Sequence, residues 1–206
     1  MNKIKKFFGA HKIFMWVFLI LVALFIILII VRTFHYFDVQ KTNTQVSKIH
    51  STKLLLSDVT NTKFPSDPGV EGDKTIQGID VNMNGIRDDV EIAIYKEYPN
   101  SAKTRAVLLQ YALVLQMETT QPFLNEEIAT EISREQSKGF SCIGTIFPDR
   151  GSDQSYKKLL SIISFVEDKQ FNTKDRTNSR NIFLEKVRSY SDLNESCDID
   201  LSKLVN

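Results

Sequence analysis

The 206-residue chain is expected to be all-α, with an N-terminal transmembrane helix, a stalk and a small helical outer domain carrying one distinctive loop. Three observations predict this. Residues 13–31 are nineteen consecutive apolar residues without a charge. Beyond residue 88, apolar side chains recur at steps of three and four, the spacing that aligns them on one face of a helix. Convincing alternation at steps of two, which a half-buried strand needs, is missing from the sequence.

At about 1.5 Å per residue, the run 13–31 crosses most of a bilayer core of roughly 30 Å. Trp16 near one end, and Phe34, Tyr36 and Phe37 beyond the other, suit the two interfaces. Lys3, Lys5, Lys6 and Lys12 precede the span, whereas only Arg32 closely follows it. The positive-inside rule therefore makes residues 1–12 a cytoplasmic tail and places 32–206 on the periplasmic or extracellular side of a cell (inner) membrane. An uncleaved anchor is expected, because a signal peptide would have a shorter apolar core and a small-residue cleavage site. No cysteine lies near the span to accept a lipid.

Residues 32–64 read as a stalk or linker. Within it, Val39, Val46, Ile49 and Leu56 recur near heptad steps, and a partly ordered linker is the alternative. Pro65, Pro68, Gly69 and Gly72 mark the start of an outer domain, 65–206. A first helix is expected from Asp88, with Val90, Ala93, Ile94 and Tyr98 on one face and Pro99 ending it. Ser101 can cap a second helix to about Met117, with Val107, Leu108, Tyr111, Ala112 and Leu115 as its buried stripe. Asn125 can cap a third, largely solvated helix, where Ile128 and Ile132 alternate with Glu126, Glu127, Glu131 and Glu135 until Gly139 stops it. A loop over 140–152 holds Cys142, Gly144, Pro148 and Gly151. A fourth helix follows from about Asp153, with Tyr156, Leu159, Leu160 and Ile163 inward. A fifth fits Thr173 to Tyr190, burying Ile182, Phe183, Val187 and Tyr190, with the tail to Asn206 held back by Cys197.

The distinctive stretch is Asp80-Val-Asn-Met-Asn-Gly-Ile-Arg-Asp-Asp-Val-Glu91, which meets D-x-[DN]-x-[DN]-G-x5-E at every specified position. Calcium takes six to eight oxygens at roughly 2.3–2.6 Å, so one short segment must turn sharply to aim several of its own oxygens inward. Asp80, Asn82 and Asn84 would supply side-chain oxygens, and Gly85 the turn. Ile86 would give its backbone carbonyl, Asp88 would act directly or through water, and Glu91 would close the site with both oxygens. Two Asn where Asp is common reduce repulsion in the empty loop and also reduce attraction for the ion. Weak binding is expected, with a Kd of about 10⁻⁴–10⁻³ M. The alternative is an Asx-rich turn that caps the following helix without an ion.

Two features depart from a paired EF-hand. Arg87 stands where an aliphatic residue would bridge to a partner loop, and Gly72, Asp73 and Gly78 interrupt the expected incoming helix. The single loop is similar to those of thrombospondin type 3 and dockerin modules. Together with Pro65-Ser-Asp-Pro-Gly69, Gly78-Ile-Asp80, Arg105-Ala106 and Gln110, it resembles a recurring motif of bacterial exported or membrane-anchored proteins. That resemblance covers about residues 65–116 and implies a periplasmic or surface location without implying an activity.

Cys142 and Cys197 both lie beyond the span, on the side expected to be oxidising, and a disulfide is the economical reading. Two buried thiols are the alternative. Formal charge is +1, but four lysines fall in the first twelve residues, leaving 22 basic against 25 acidic residues. No basic tract suggests nucleic acid.

His11, His35 and His50 all precede residue 65, so the expected outer domain has no imidazole for a nucleophile pair. With both cysteines bridged, zinc lacks its usual ligands. Glu127 and Glu131 share a helical face and could split acid and base roles, although such a run is more often solvated. The sequence is therefore expected to encode a non-enzymatic, single-pass membrane protein with a calcium-loop outer domain that contacts an envelope protein or ligand. A calcium-responsive sensor is the second reading, and a membrane-tethered hydrolase using carboxylates the third. Nothing in the sequence sets the oligomeric state.

Overall fold

In the computed structural model the described residues are 2–60, 65–147, 152–188 and 197–204, with side chains from residue 14 onward. They form seven α-helices and two 3-10 turns, with no strand among them. The chain divides into two compact units, Met1–Gln45 and Val46–Asn206.

The first unit is helical. Helix α1 runs unbroken from Asn2 to Ser51, so the expected tail, span and upper stalk are one helix. Its apolar side chains from Phe14 to Val31 are exposed, with Phe14 at 70% and Phe25 at 63%. A stripe-free apolar cylinder of this length is long and apolar enough to cross a membrane.

The second unit begins well before the expected boundary at residue 65. Ile49, on the last turn of α1, is buried in its core together with Leu54 and with Val59 of α2 (Leu56–Thr60). The thinly spread aliphatics of the supposed stalk are thus core residues separated by polar ones. Leu56 is exposed rather than part of a heptad seam, and residues 61–64 lie outside the described residues. The hydroxyl of Tyr95 donates to the Asp58 carbonyl and ties this segment to the following helices.

The core is organised around α4 (Ala102–Thr119), which packs against α2, α3 (Asp88–Glu97), α5 (Glu126–Gly144), α6 (Asp153–Gln170) and α7 (Lys174–Lys186). It was expected to bury one stripe. Instead every residue from Ala106 to Thr119 is buried, as befits a helix surrounded by others. Ser101, Asn125, Ser152 and Thr173 cap α4, α5, α6 and α7, each side chain accepting the backbone N–H three residues on.

Three expectations are corrected. Gly139 does not end α5: a Cβ there would lie 3.5 Å from the Tyr111 Cα, so the glycine sits where the helix meets α4. Packing of Ile128, Ile132, Cys142 and Ile143 outweighs the cost of about 1 kcal/mol that a mid-helix glycine carries. Cys142 is therefore helical, not in a loop, and Pro148 and Gly151 lie outside the described residues. On α6 the buried side is Ile162, Ile163, Val166 and Gln170, while Tyr156 and Leu160 are exposed. Helix α7 ends at Lys186, buries Phe183 and Arg176, and exposes Ile182, with Tyr190 outside the described residues.

Cys142 and Cys197 are bonded, with Sγ atoms 2.07 Å and Cα atoms 5.1 Å apart, closing 55 residues. In the chain-entropy account a loop of that length contributes about 4 kcal/mol. The tail is also held by Asp198, whose amide donates to the Gln110 side chain and whose carboxylate accepts from the Leu54 amide.

Candidate metal centre

The loop 80–91 folds by satisfying its own polar groups. The Asp80 carboxylate accepts the amides of Asn84 (3.2 Å) and Gly85 (2.8 Å), and the Asn84 side-chain oxygen accepts the Ile86 amide at 2.9 Å. Gly85 has φ +87° and Met83 φ +56°, so the chain twice enters the left-handed region. A Cβ at Gly85 would come within 2.8 Å of Leu113 on α4, which gives a second reason for glycine there. The loop closes where the Asp88 amide donates to Ile79 at 2.9 Å, and α3 begins.

Of the six expected ligands, Asn82, Asn84 and Glu91 are in direct contact. The Asn84 amide donates to Glu91 Oε1 at 2.7 Å, and the Asn82 amide to Oε2 at 3.1 Å. Asp80 sits beside them through its bond to Asn84. Asp88 is buried, and both of its oxygens accept the Val81 amide, at 3.1 and 3.3 Å. Ile86 sends its side chain into the core, which leaves its carbonyl as its one oxygen.

The electrostatics suit a cation. Glu91 is only 2% exposed. Burial pushes its carboxyl up to about 7; Asp88 and Asp80 add to the shift, while the amides of Asn84 and Asn82 oppose it. Burial likewise raises Asp88, against its bond from Val81 and with help from Asp80 and Asp89. The two Asn side chains place N–H groups on Glu91 where a cation would place positive charge. Turning each amide by half a turn would present an oxygen instead, and for Asn84 this gives up the bond from the Ile86 amide. Hard oxygens from carboxylates, amides and a carbonyl are the donor set calcium takes, so these residues fit the ion. Among the described residues no three His, Cys, Asp or Glu side chains converge as a metal cluster by themselves. The fit depends on the asparagines and the backbone.

The sequence departure at Arg87 has a structural explanation. Its side chain is fully buried and reaches beyond the loop. It pairs with Asp89 at 2.6 Å and donates to the carbonyls of Gln170 (2.9 Å) and Lys169 (3.0 Å), where α6 ends. In a paired hand a second loop would brace this position. Here the α6–α7 turn does so.

The incoming helix is replaced by a 3-10 turn, Gly69–Asp73, and an irregular segment to Gly78. These fold around Arg176 of α7, also fully buried. It pairs with Asp73 at 2.7 Å and donates to the carbonyls of Gly72, Thr75 and Ile76. Gly78 has φ +68°, and a Cβ there would lie 2.5 Å from Arg87 Cδ, so only glycine lets the chain pass over both arginines. Arg176 was not singled out in the sequence, and nothing local could have marked it.

The early boundary also brings His50 into the second unit, where its Nε2 is 2.9 Å from Glu131. The expectation of an outer domain without imidazole is thus corrected. His50 is half-exposed, and Glu131 also lies 3.4 Å from Arg134, in a surface ion cluster. Glu127 is exposed.

No family model matches this chain, and neither the curated proteins nor the solved structures yield a match.

Proposed function

We propose that this is a single-pass membrane protein whose helical unit is ordered by one calcium ion and a disulfide, and that its role in the cell envelope is non-enzymatic: contact with another envelope protein. The N-terminus is cytoplasmic and the helical unit is periplasmic or extracellular, as the lysines before the span argue. The bridge between Cys142 and Cys197 agrees with an oxidising compartment.

The observation that carries the calcium reading is the buried Glu91 carboxyl facing two asparagines, with two further aspartates near it. Asp80, Asn82, Asn84, Ile86, Asp88 and Glu91 would hold the ion. Its part is structural: it replaces repulsion among carboxylates by attraction and keeps the loop in one shape. At one to ten times Kd the ion adds only about 0.4–1.4 kcal/mol, enough to order a loop and too little to drive a large switch. Arg87 and Arg176 already brace both flanks, which favours ordering over the sensor reading.

Calorimetry on the full chain in uncharged detergent should show calcium uptake with a Kd of about 10⁻⁴–10⁻³ M. Glu91→Gln should abolish it and leave the fold intact. Absence of uptake by the wild type at about 10 mM calcium would overturn the reading. Crosslinking of the helical unit in intact cells, followed by identification of what is captured, tests the envelope contact.

A further inference from the structure

Away from the loop, a half-open cleft of about 590 Å³ lies between the start of α4, the end of α5, one side of α6 and the 3-10 turn Leu201–Lys203. That volume falls within the usual range for a small-molecule site. Its apolar lining includes Tyr98, Phe147 and Ile162, the last two buried. Its polar lining includes Lys103 from the first turn of α4, Lys158 from α6 and Thr104.

Among the described residues the charges lining the cleft are one-sided, and no carboxylate lines it. Asp200, just before the lining residues Leu201 and Ser202, is taken up by the Ser202 amide and hydroxyl and by Lys203. Among the described residues, neither Lys103 nor Lys158 makes an ion pair, whereas Lys53 and Lys138 share Glu135 and Asp198. The Thr104 oxygen accepts from Ser101 at 2.8 Å, so the threonine has its own proton left to donate. Two cations beside aromatic and aliphatic surface describe a site for a charged group carried on an apolar one.

We propose that this cleft binds a small oxyanion, phosphate or carboxylate, carried on an apolar body. Lys103 and Lys158 take the anion with help from Thr104, and Tyr98, Phe147 and Ile162 take the body. The site is separate from the calcium loop and does not depend on it.

Phenyl phosphate, benzoate, phenol and inorganic phosphate would be titrated into the full chain in uncharged detergent, read by saturation-transfer NMR and calorimetry. Phenyl phosphate or benzoate should bind at least about tenfold more tightly than phenol or inorganic phosphate, because each control lacks one half of the ligand. The tighter of the two identifies the head group. Rising salt should weaken binding. The double variant Lys103→Gln, Lys158→Gln should weaken it about tenfold or more with an unchanged unfolding midpoint, and Lys158→Glu alone should weaken it further than Lys158→Gln. Equal binding of phenol, indifference to the lysine variants, or no binding of either oxyanion at about 10 mM would each overturn the proposal.

Discussion

Residues 80–91 and residues 69–78 adjoin in the chain and are held in opposite ways. Apart from Arg87, the loop satisfies its polar groups among partners two to nine positions apart, as in Asn84 to Asp80 and Asn82 to Glu91. The segment before it satisfies its carbonyls on Arg176, 100 to 104 positions away. The first is a local turn with its own geometry. The second has only the few local bonds of its 3-10 turn and takes the rest of its shape from a buried guanidinium. A charge taken out of water must be paired and hydrogen-bonded, and a fork of five donors can collect several carbonyls at once. The contrast teaches that the loop can be perturbed piecemeal, whereas its mount should fail as a unit.

The sharpest way to break the contrast is Arg176→Ala. It leaves Asp73 with only the Asn172 amide, and the carbonyls of Gly72, Thr75 and Ile76 without their donor. The expected loss is about 3–5 kcal/mol by denaturant unfolding, with hydrogen exchange accelerated over residues 69–78 before the helices open. A loss below about 1 kcal/mol would mean that the segment holds itself.

The next effect concerns the end of α4, beside the same mount: Gln116 donates to the Gln77 carbonyl, and Ser179 of α7 donates to the Thr119 carbonyl. Between them Glu118 is buried without a hydrogen-bond partner, 3.5 Å from Arg180, which pairs more closely with Glu167 at 2.8 Å. Burial pushes its carboxyl up to about 8; Arg180 opposes this and Glu167 adds to it. The folded state thus holds this proton more tightly than the unfolded state, and stability falls as pH rises from about 4.5 to about 8. Glu118→Gln removes this group's part of the dependence. Urea unfolding should find the variant about 2–4 kcal/mol more stable at pH 9 and near wild type at pH 4. Glu91 titrates in part of the same range in both proteins, so their difference isolates Glu118.

How much of this was legible follows the same division. Every specified residue of the loop lies within twelve positions, and helix caps such as Ser101 and Asn125 act three residues away, so pattern and propensity found both. The domain boundary was missed because Ile49, Leu54 and Val59 are isolated among polar residues, and only α4 makes them a core. The all-round burial of α4 was hidden by Gln110, Gln116 and Glu118, polar residues that read as a solvated face and are in fact buried. Arg176 sits in a polar helix where a surface role is the default. Arg87 gave one hint, a charge where an aliphatic residue was expected, but apart from Asp89 its partners are 82 to 85 positions away.

The smallest effect tests the loop's independence most directly. Met83 is 86% exposed and holds φ +56°, a conformation that costs an ordinary side chain roughly 1 kcal/mol and an asparagine less. It offers no oxygen to the candidate site and no apolar area to the core. Met83→Asn should therefore stabilise the chain by about 0.5–1 kcal/mol and leave calcium uptake unchanged. A destabilisation instead, measured in the same denaturant experiment as Arg176→Ala, would show that an exposed methionine supports the loop from outside. The twelve residues would then depend on a surface contact, and the distinction between loop and mount would fail at its simplest point.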